Sequence, residues 1–201
     1  MRISILHHMI VIELSGMPRA GKSSHMEILE SRLKDKEGKL VRCIHEGIKF
    51  CPLDKRDVFA YTTWSFHYTA NAIMEARSMP FDYILIDRGI YDHLAFAVAY
   101  YASDALTEKQ YISQKNYFYA FKELEHLVFT FLVSPETSLE RRRKIHLYNG
   151  RVMNASFLQK LSAAYHNIRE QASSSIPHVF IDAEQPFEVN TELIMRRLAL
   201  A

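Results

Sequence analysis

The chain has 201 residues, 48% of them apolar and 24% charged, with a formal net charge of +2. Such a chain can bury one sizeable core and lacks the charge imbalance of a general nucleic-acid or membrane-surface binder, so a single domain over residues 1–201 is expected, with neither nucleic acid nor membrane as a partner. Cys43 and Cys51 are the only cysteines, too few for a disulfide framework, and no apolar stretch reaches the length of a membrane span, which makes the cytoplasm the expected compartment.

Met1 to Leu14 lacks the cleavage pattern of a signal peptide; residues 1–8 read as a short extension or a start-site ambiguity, and Met9 begins the first strand, which runs to Leu14. It runs into Gly16-Met17-Pro18-Arg19-Ala20-Gly21-Lys22-Ser23, which has the form G-x-x-x-x-G-K-S. Strand, glycine loop and helix in that order make a phosphate cradle, because small residues let successive backbone N–H groups curl around phosphate oxygens at the positive end of a helix. Lys22 would reach the terminal phosphates, and Ser23 would place its hydroxyl on a bridging Mg²⁺. The helix from Lys22 to about Leu33 has Met26, Ile28, Leu29 and Leu33 at helical spacing and is closed by Gly38.

Leu40 to His45 reads as a second strand that delivers Glu46 to the edge where ligands gather in an open α/β sheet. Glu46 is a candidate general base, with a plain surface glutamate as the alternative. Asp57 to Ser78 has neither Pro nor Gly and carries Phe59, Tyr61, Trp64, Phe66 and Tyr68, so it reads as a long helix buried around much of its circumference. Aromatics at this spacing are core residues or the wall of a pocket for a flat ring, and Phe59, Thr62 and Phe66 are the candidate contacts of an acceptor.

Tyr83 to Asp87 is an apolar run ending in a carboxylate, as for a parallel strand covered on both faces. Asp87 beside a phosphate loop suits Mg²⁺, and Arg88 suits phosphate oxygens; the alternative for Asp87 is a cap on the helix from Ile90 to Tyr101. Thr107 opens a helix through Leu124 with a capping box, Leu127 to Val133 is the fourth strand, and Ser134-Pro135 starts a helix carrying Arg141-Arg142-Arg143-Lys144. Ile145 to Met153 reads as a loop, and the segment of about 142–153 as a mobile lid whose Arg142, Arg143 and Arg151 close on ATP. A helix from Asn154 to about Gln171, a strand from His178 to Asp182 and a helix from Glu188 to Leu200 complete the chain. Five strands alternating with helices imply a three-layer α/β sandwich with a parallel sheet and helices on both faces. No histidine spacing suits a transition metal, and there is no G-x-S-x-G and no N-K-x-D.

With these residues in view, the chain resembles the thymidylate kinase group of P-loop nucleotide kinases, with deoxynucleoside kinases as near relatives. The resemblance runs over nearly the whole chain. Arg19-Ala20-Gly21-Lys22-Ser23-Ser24 is similar to the eukaryotic-type thymidylate kinase loop, Asp87-Arg88-Gly89 to its D-R-Y, and Asp87-Arg88-Gly89-Ile90-Tyr91 to the E-R-S-x-Y of deoxynucleoside kinases. Arg151-Val152-Met153-Asn154 and the helix that follows look like the end of the family's lid. Pro18 stands where that loop type has an acidic residue, Gly89 replaces the D-R-Y tyrosine, and no arginine lies between Asp57 and Ala76. The resemblance implies the P-loop NTPase fold, ATP and Mg²⁺ as cofactors, Arg19, Lys22 and Ser23 with Gly16 to Ser24 on the ATP phosphates, Asp87 and Arg88 on metal and acceptor, and Glu46 in the position of a base. A phosphotransferase is expected, and its acceptor is expected to be a nucleoside monophosphate, because Arg19, Arg88 and residues 141–144 add cations beyond what ATP needs. A nucleoside, a non-nucleotide metabolite and a regulatory nucleotide-binding role are the alternatives, and a homodimer is left open.

Overall fold

The computed structural model describes residues 9–144, 152–172 and 176–199. Five strands, β1 (Ile10–Gly16), β2 (Val41–Ile44), β3 (Tyr83–Asp87), β4 (Leu127–Leu132) and β5 (His178–Asp182), form one parallel sheet in the order β2-β3-β1-β4-β5. β1 is central, with Leu14 level with Asp87 of β3 and Gly16 level with Phe131 of β4. Val11, Ile12, Leu14, Ile84, Leu85, Ile86, Val128 and Phe129 are all 0% exposed, as parallel strands require when both faces are covered. Each such side chain contributes roughly 1.5–3 kcal/mol of burial.

The cover comes from α1 (Lys22–Glu37), α2 (Val58–Arg77), α3 (Ile90–Tyr101), α4 (Glu108–Phe121), α5 (Pro135–Arg143), α6 (Ala155–His166), α7 (Ile168–Ala172) and α8 (Phe187–Leu198). Their starts are set locally. Asp57, Ser134 and Asn154 each accept an N–H from three residues on, and Thr107 and Gln110 form a reciprocal capping box. α1 packs on β1, β2, β3 and α8, whereas α3 packs on β1 and meets α2, α4, α6 and α7.

Two helices differ from the pattern read in the sequence. α4 ends at Phe121 and tightens into a 3-10 turn over Lys122–Leu124, and the helix expected from Asn154 to Gln171 is divided at Asn167 into α6 and α7. Apolar periodicity continues through both points, so a turn that keeps the same face buried leaves no mark in the sequence. Cys43 and Cys51 are free, and burial with Glu30 nearby pushes the Cys43 thiol up to about 12. No described helix is long and apolar enough to cross a membrane. Of the expected lid, 145–151 with Arg151 lies outside the described residues.

Candidate phosphate and acceptor site

The ends of β1, β2 and β3 open on one side of the sheet, where the order of strands reverses about β1. There the loop from Gly16 to Gly21 meets Glu46, Asp87 and Arg88 around a cavity of about 670 Å³, a size suited to a nucleotide. Gly16 has φ 127°, and a Cβ on it would strike the Phe131 carbonyl of the neighbouring strand, so only glycine passes. Arg19 and Arg88 have φ 64° and 68°, a left-handed backbone that costs a side-chain-bearing residue about 1–2 kcal/mol. Both residues line the cleft, whereas the third described non-glycine residue with such a backbone, Asp104 with φ 56°, lies away from it.

Pro18, Arg19, Gly21, Lys22, Ser23, Ser24 and Arg142 line this cavity, while Met17 and Ala20 turn buried side chains into the core and offer the loop only backbone. The Lys22 ammonium donates to Gly16 O and Met17 O, both at 2.8 Å. Burial, then the nearby Arg88 charge, lowers Lys22 to about 8. Ser23 Oγ donates to Asp87 Oδ2 at 2.6 Å, which joins the two residues expected at a metal. The basic run of α5 disperses. Arg141 bonds Arg19 O at 3.2 Å and Ala183 O at 2.9 Å, Arg142 faces the cavity, Arg143 is exposed, and Lys144 pairs with Glu140 at 2.8 Å.

The acceptor side is organised by a residue the sequence reading passed over, Asp92. Its Oδ1 accepts from Gly16 N at 3.0 Å, Ser15 Oγ at 3.2 Å and Tyr165 at 2.6 Å, and its Oδ2 accepts from Arg88 at 2.8 Å. Arg88 also pairs through Nε with Glu46 at 3.1 Å, and its guanidinium lies 5.1 Å from the centre of the Phe96 ring. Burial alone would lower Arg88, but Asp92 and then Glu46 more than offset it and hold the guanidinium well above its ordinary value. Burial raises Asp92, but Arg88 and then Lys22 outweigh it and keep the carboxylate below the usual range.

From Glu46 a pocket leads inward between α2 and α3, walled by Ile48, Tyr61, Thr62, Ser65, His93, Phe96 and Tyr100. Of the three α2 residues considered as acceptor contacts, Thr62 is among the wall residues. Phe59 and Phe66 are not among the wall residues; Phe66, 1% exposed, stands behind the wall with its ring 5.4 Å from that of His93. Thr62 Oγ1 is engaged with Val58 O and Gln114, whereas Ser65 and His93 make no side-chain hydrogen bond within the described chain. Burial pulls His93 down to about 4, so an uncharged imidazole faces the pocket at neutral pH. Ser65 and His93 are two among several polar residues of α2 and α3, so residue type alone did not single out this wall.

No family model matches the chain, and no curated protein matches it in sequence. Solved structures do match in fold. Deoxyadenosine kinase from M. mycoides with the products dCMP and a flexible dCDP bound aligns with a TM-score of 0.74 at 20% identity, covering 96% of this chain and 100% of that one. The same kinase with bound dATP gives 0.74 at 19% identity over 94% and 99%, and with bound dCTP 0.71 at 20% over 96% and 100%. The chain thus has the P-loop kinase fold of these neighbours over nearly its whole length.

Proposed function

We propose that the chain is an ATP-dependent kinase that phosphorylates a hydroxyl of a nucleoside, a deoxynucleoside in the first instance. One observation carries this reading: the lysine of the phosphate loop and the candidate base Glu46 border the same cavity of about 670 Å³, with a narrow pocket of about 40 Å³ leading in behind Glu46. The fold likeness to deoxyadenosine kinases supports it.

In this reading Lys22 leaves the loop carbonyls for the β- and γ-phosphates, and the loop amides take the remaining oxygens. Ser23 and Asp87, one hydroxyl and one carboxylate already joined, fit a Mg²⁺ that keeps most of its sites for phosphate and water. Bound there, Mg²⁺ would neutralise charge on the transferring group. The acceptor hydroxyl attacks the γ-phosphorus as the bond to ADP breaks, and Glu46, oriented by Arg88, takes the hydroxyl proton. Phe96 offers a face to the ring, and Ser65 and the neutral His93 offer its edge a donor or an acceptor.

The nucleoside is favoured over the nucleoside monophosphate because Arg88, the cation at the inner end of the acceptor side, is already neutralised by Glu46 and Asp92. An acceptor phosphate would have to rely on Lys49, Lys55 and Arg19 at the mouth. Release of ADP over a panel of nucleosides and their monophosphates separates the two. The expected result is turnover with nucleosides and a loss of about 10²-fold or more in E46Q, the scale of a missing general base. Turnover with monophosphates alone, little changed in E46Q, would replace this reading, and ATP binding with no turnover on any acceptor would point to a regulatory protein.

A further inference from the structure

Outside the cleft, two glutamates are buried without a lysine or arginine partner in the described chain. Glu13 lies in the middle of β1 at 0% exposure, and Glu125 lies just before β4 at 1%. What they meet is the beginning of α3. Ile90 N donates to Glu125 Oε1 at 2.9 Å, Tyr91 N to Glu13 Oε2 at 2.8 Å and Asp92 N to Glu13 Oε1 at 2.7 Å, and the two carboxyls stand close enough to act on each other directly. A Cβ on Gly89 would strike Glu125 Oε1 and come within 2.9 Å of Glu13 Cδ, so the carboxyls occupy the space that a larger residue after Arg88 would fill.

We propose that Glu13 and Glu125 are positioning residues that share a single proton and anchor the first turn of α3, thereby setting Arg88 and Asp92 at the acceptor site. The inference rests on the kinase reading above for what is positioned, and on the described geometry for the anchor.

Hydrogen-bond count assigns the proton. Glu13 uses both oxygens as acceptors from backbone N–H groups at a helix N-terminus, which favours its charged form. Glu125 receives one N–H, and its buried Oε2 has no hydrogen-bond partner among the described residues; a neutral acid tolerates that burial far better than a carboxylate. With the proton on Glu125, that acid donates to Glu13. The groups facing the pair agree. Burial raises both glutamates; Glu13's charge then raises Glu125 further, while the hydrogen bond from Glu125 draws Glu13 back and Asp92 repels both. The consequence for the site is direct. Asp92 holds Gly16 N, Ser15, Tyr165 and Arg88, so a slip of α3's first turn moves the guanidinium that orients Glu46.

Two isosteric changes then have opposite outcomes. In E125Q the amide still donates to Glu13 and its oxygen still accepts from Ile90, so turnover stays close to the parent's. In E13Q an NH₂ group faces an N–H of Tyr91 or Asp92, and kcat falls roughly 10-fold to 10²-fold, the scale of a misplaced reacting group, with KM for ATP little changed. G89A keeps both carboxyls but crowds them, and shows the same loss of kcat if E13Q does not fold. Infrared spectra at neutral pH supply a readout without substrate: a protonated carboxylic C=O band is present in the parent and lost in E125Q. Absence of that band, or E13Q and G89A both turning over at the parent rate, overturns the proposal. A parent that shows the band but no kinase activity overturns the kinase reading alone.

Discussion

At the donor end of the cleft Lys22 is held by two neutral carbonyls, 2.8 Å from each, and burial brings it down to about 8. At the acceptor end Arg88 has Asp92 at 2.8 Å and Glu46 at 3.1 Å, and stands well above its ordinary value. Both cations are buried in one site, yet only Arg88 is in direct contact with carboxylates, while Asp92, Asp87 and Glu46 act on Lys22 from a distance. A buried cation with neutral partners is stabilised by any anion that arrives, whereas one that already has two carboxylates gains little from a third. In the proposed kinase reading, the contrast separates a place that takes phosphate from a place that holds its own geometry.

The sharpest way to break the comparison is to remove each cation in turn. R88M leaves Asp92 and Glu46 without their partner and should cost about 3–5 kcal/mol of stability, as expected when one member of a buried ion pair is deleted. The readout is the urea midpoint. K22A should do the reverse. Its loss takes away a charge on the transferring group, worth roughly 10²–10³ in kcat, while relieving the fold of a cation whose burial costs about 3 kcal/mol near neutral pH. Its melting temperature should therefore match or approach the parent's. If K22A unfolds and R88M does not, the roles assigned to the two ends are interchanged.

These two ends were not equally legible in the sequence. The donor end is written in consecutive residues: Gly16 to Ser23 stand in a fixed pattern after an apolar strand, and a local pattern survives without knowledge of the tertiary structure. β3, α3 and β5 were likewise bounded to the residue, by an apolar run ending in Asp87, by the helix beginning after Gly89, and by Pro177 before His178. The acceptor end is assembled from afar. Asp92 acts through Ser15, Gly16 and Tyr165, 77, 76 and 73 residues away, and no spacing rule connects them. What the sequence did offer was a carboxylate within the apolar strand β1 and another in the apolar first turn of α3, since charges at such places are rarely buried without a task. Phe59 and Phe66 show the converse. They look like ring contacts by type, but the face of α2 that meets the pocket carries Tyr61, Thr62 and Ser65.

The smallest effect expected is also the most specific to Lys22. A lysine whose folded value is about 8, against 10.5 when unfolded, binds fewer protons in the folded chain than in the unfolded one between those two values. The slope of stability with pH is therefore positive there, and the empty protein becomes more stable as pH rises from 8 toward 10.5, once the charge no longer has to be buried. ATP has the opposite preference. Its phosphates raise Lys22 in the complex, so above pH 8 each binding event recruits a proton and the affinity falls, by up to about tenfold per pH unit. Calorimetric titrations with ATP in two buffers of different ionisation heat measure that proton directly. Uptake should be slight at pH 7, approach about one proton per ATP at pH 9, and be missing from K22M. Proton uptake of the same size in K22M would assign the linkage to another group, and none in the parent at pH 9 would mean that the lysine already has its counter-charge before ATP arrives, which removes the difference between the two ends of the cleft.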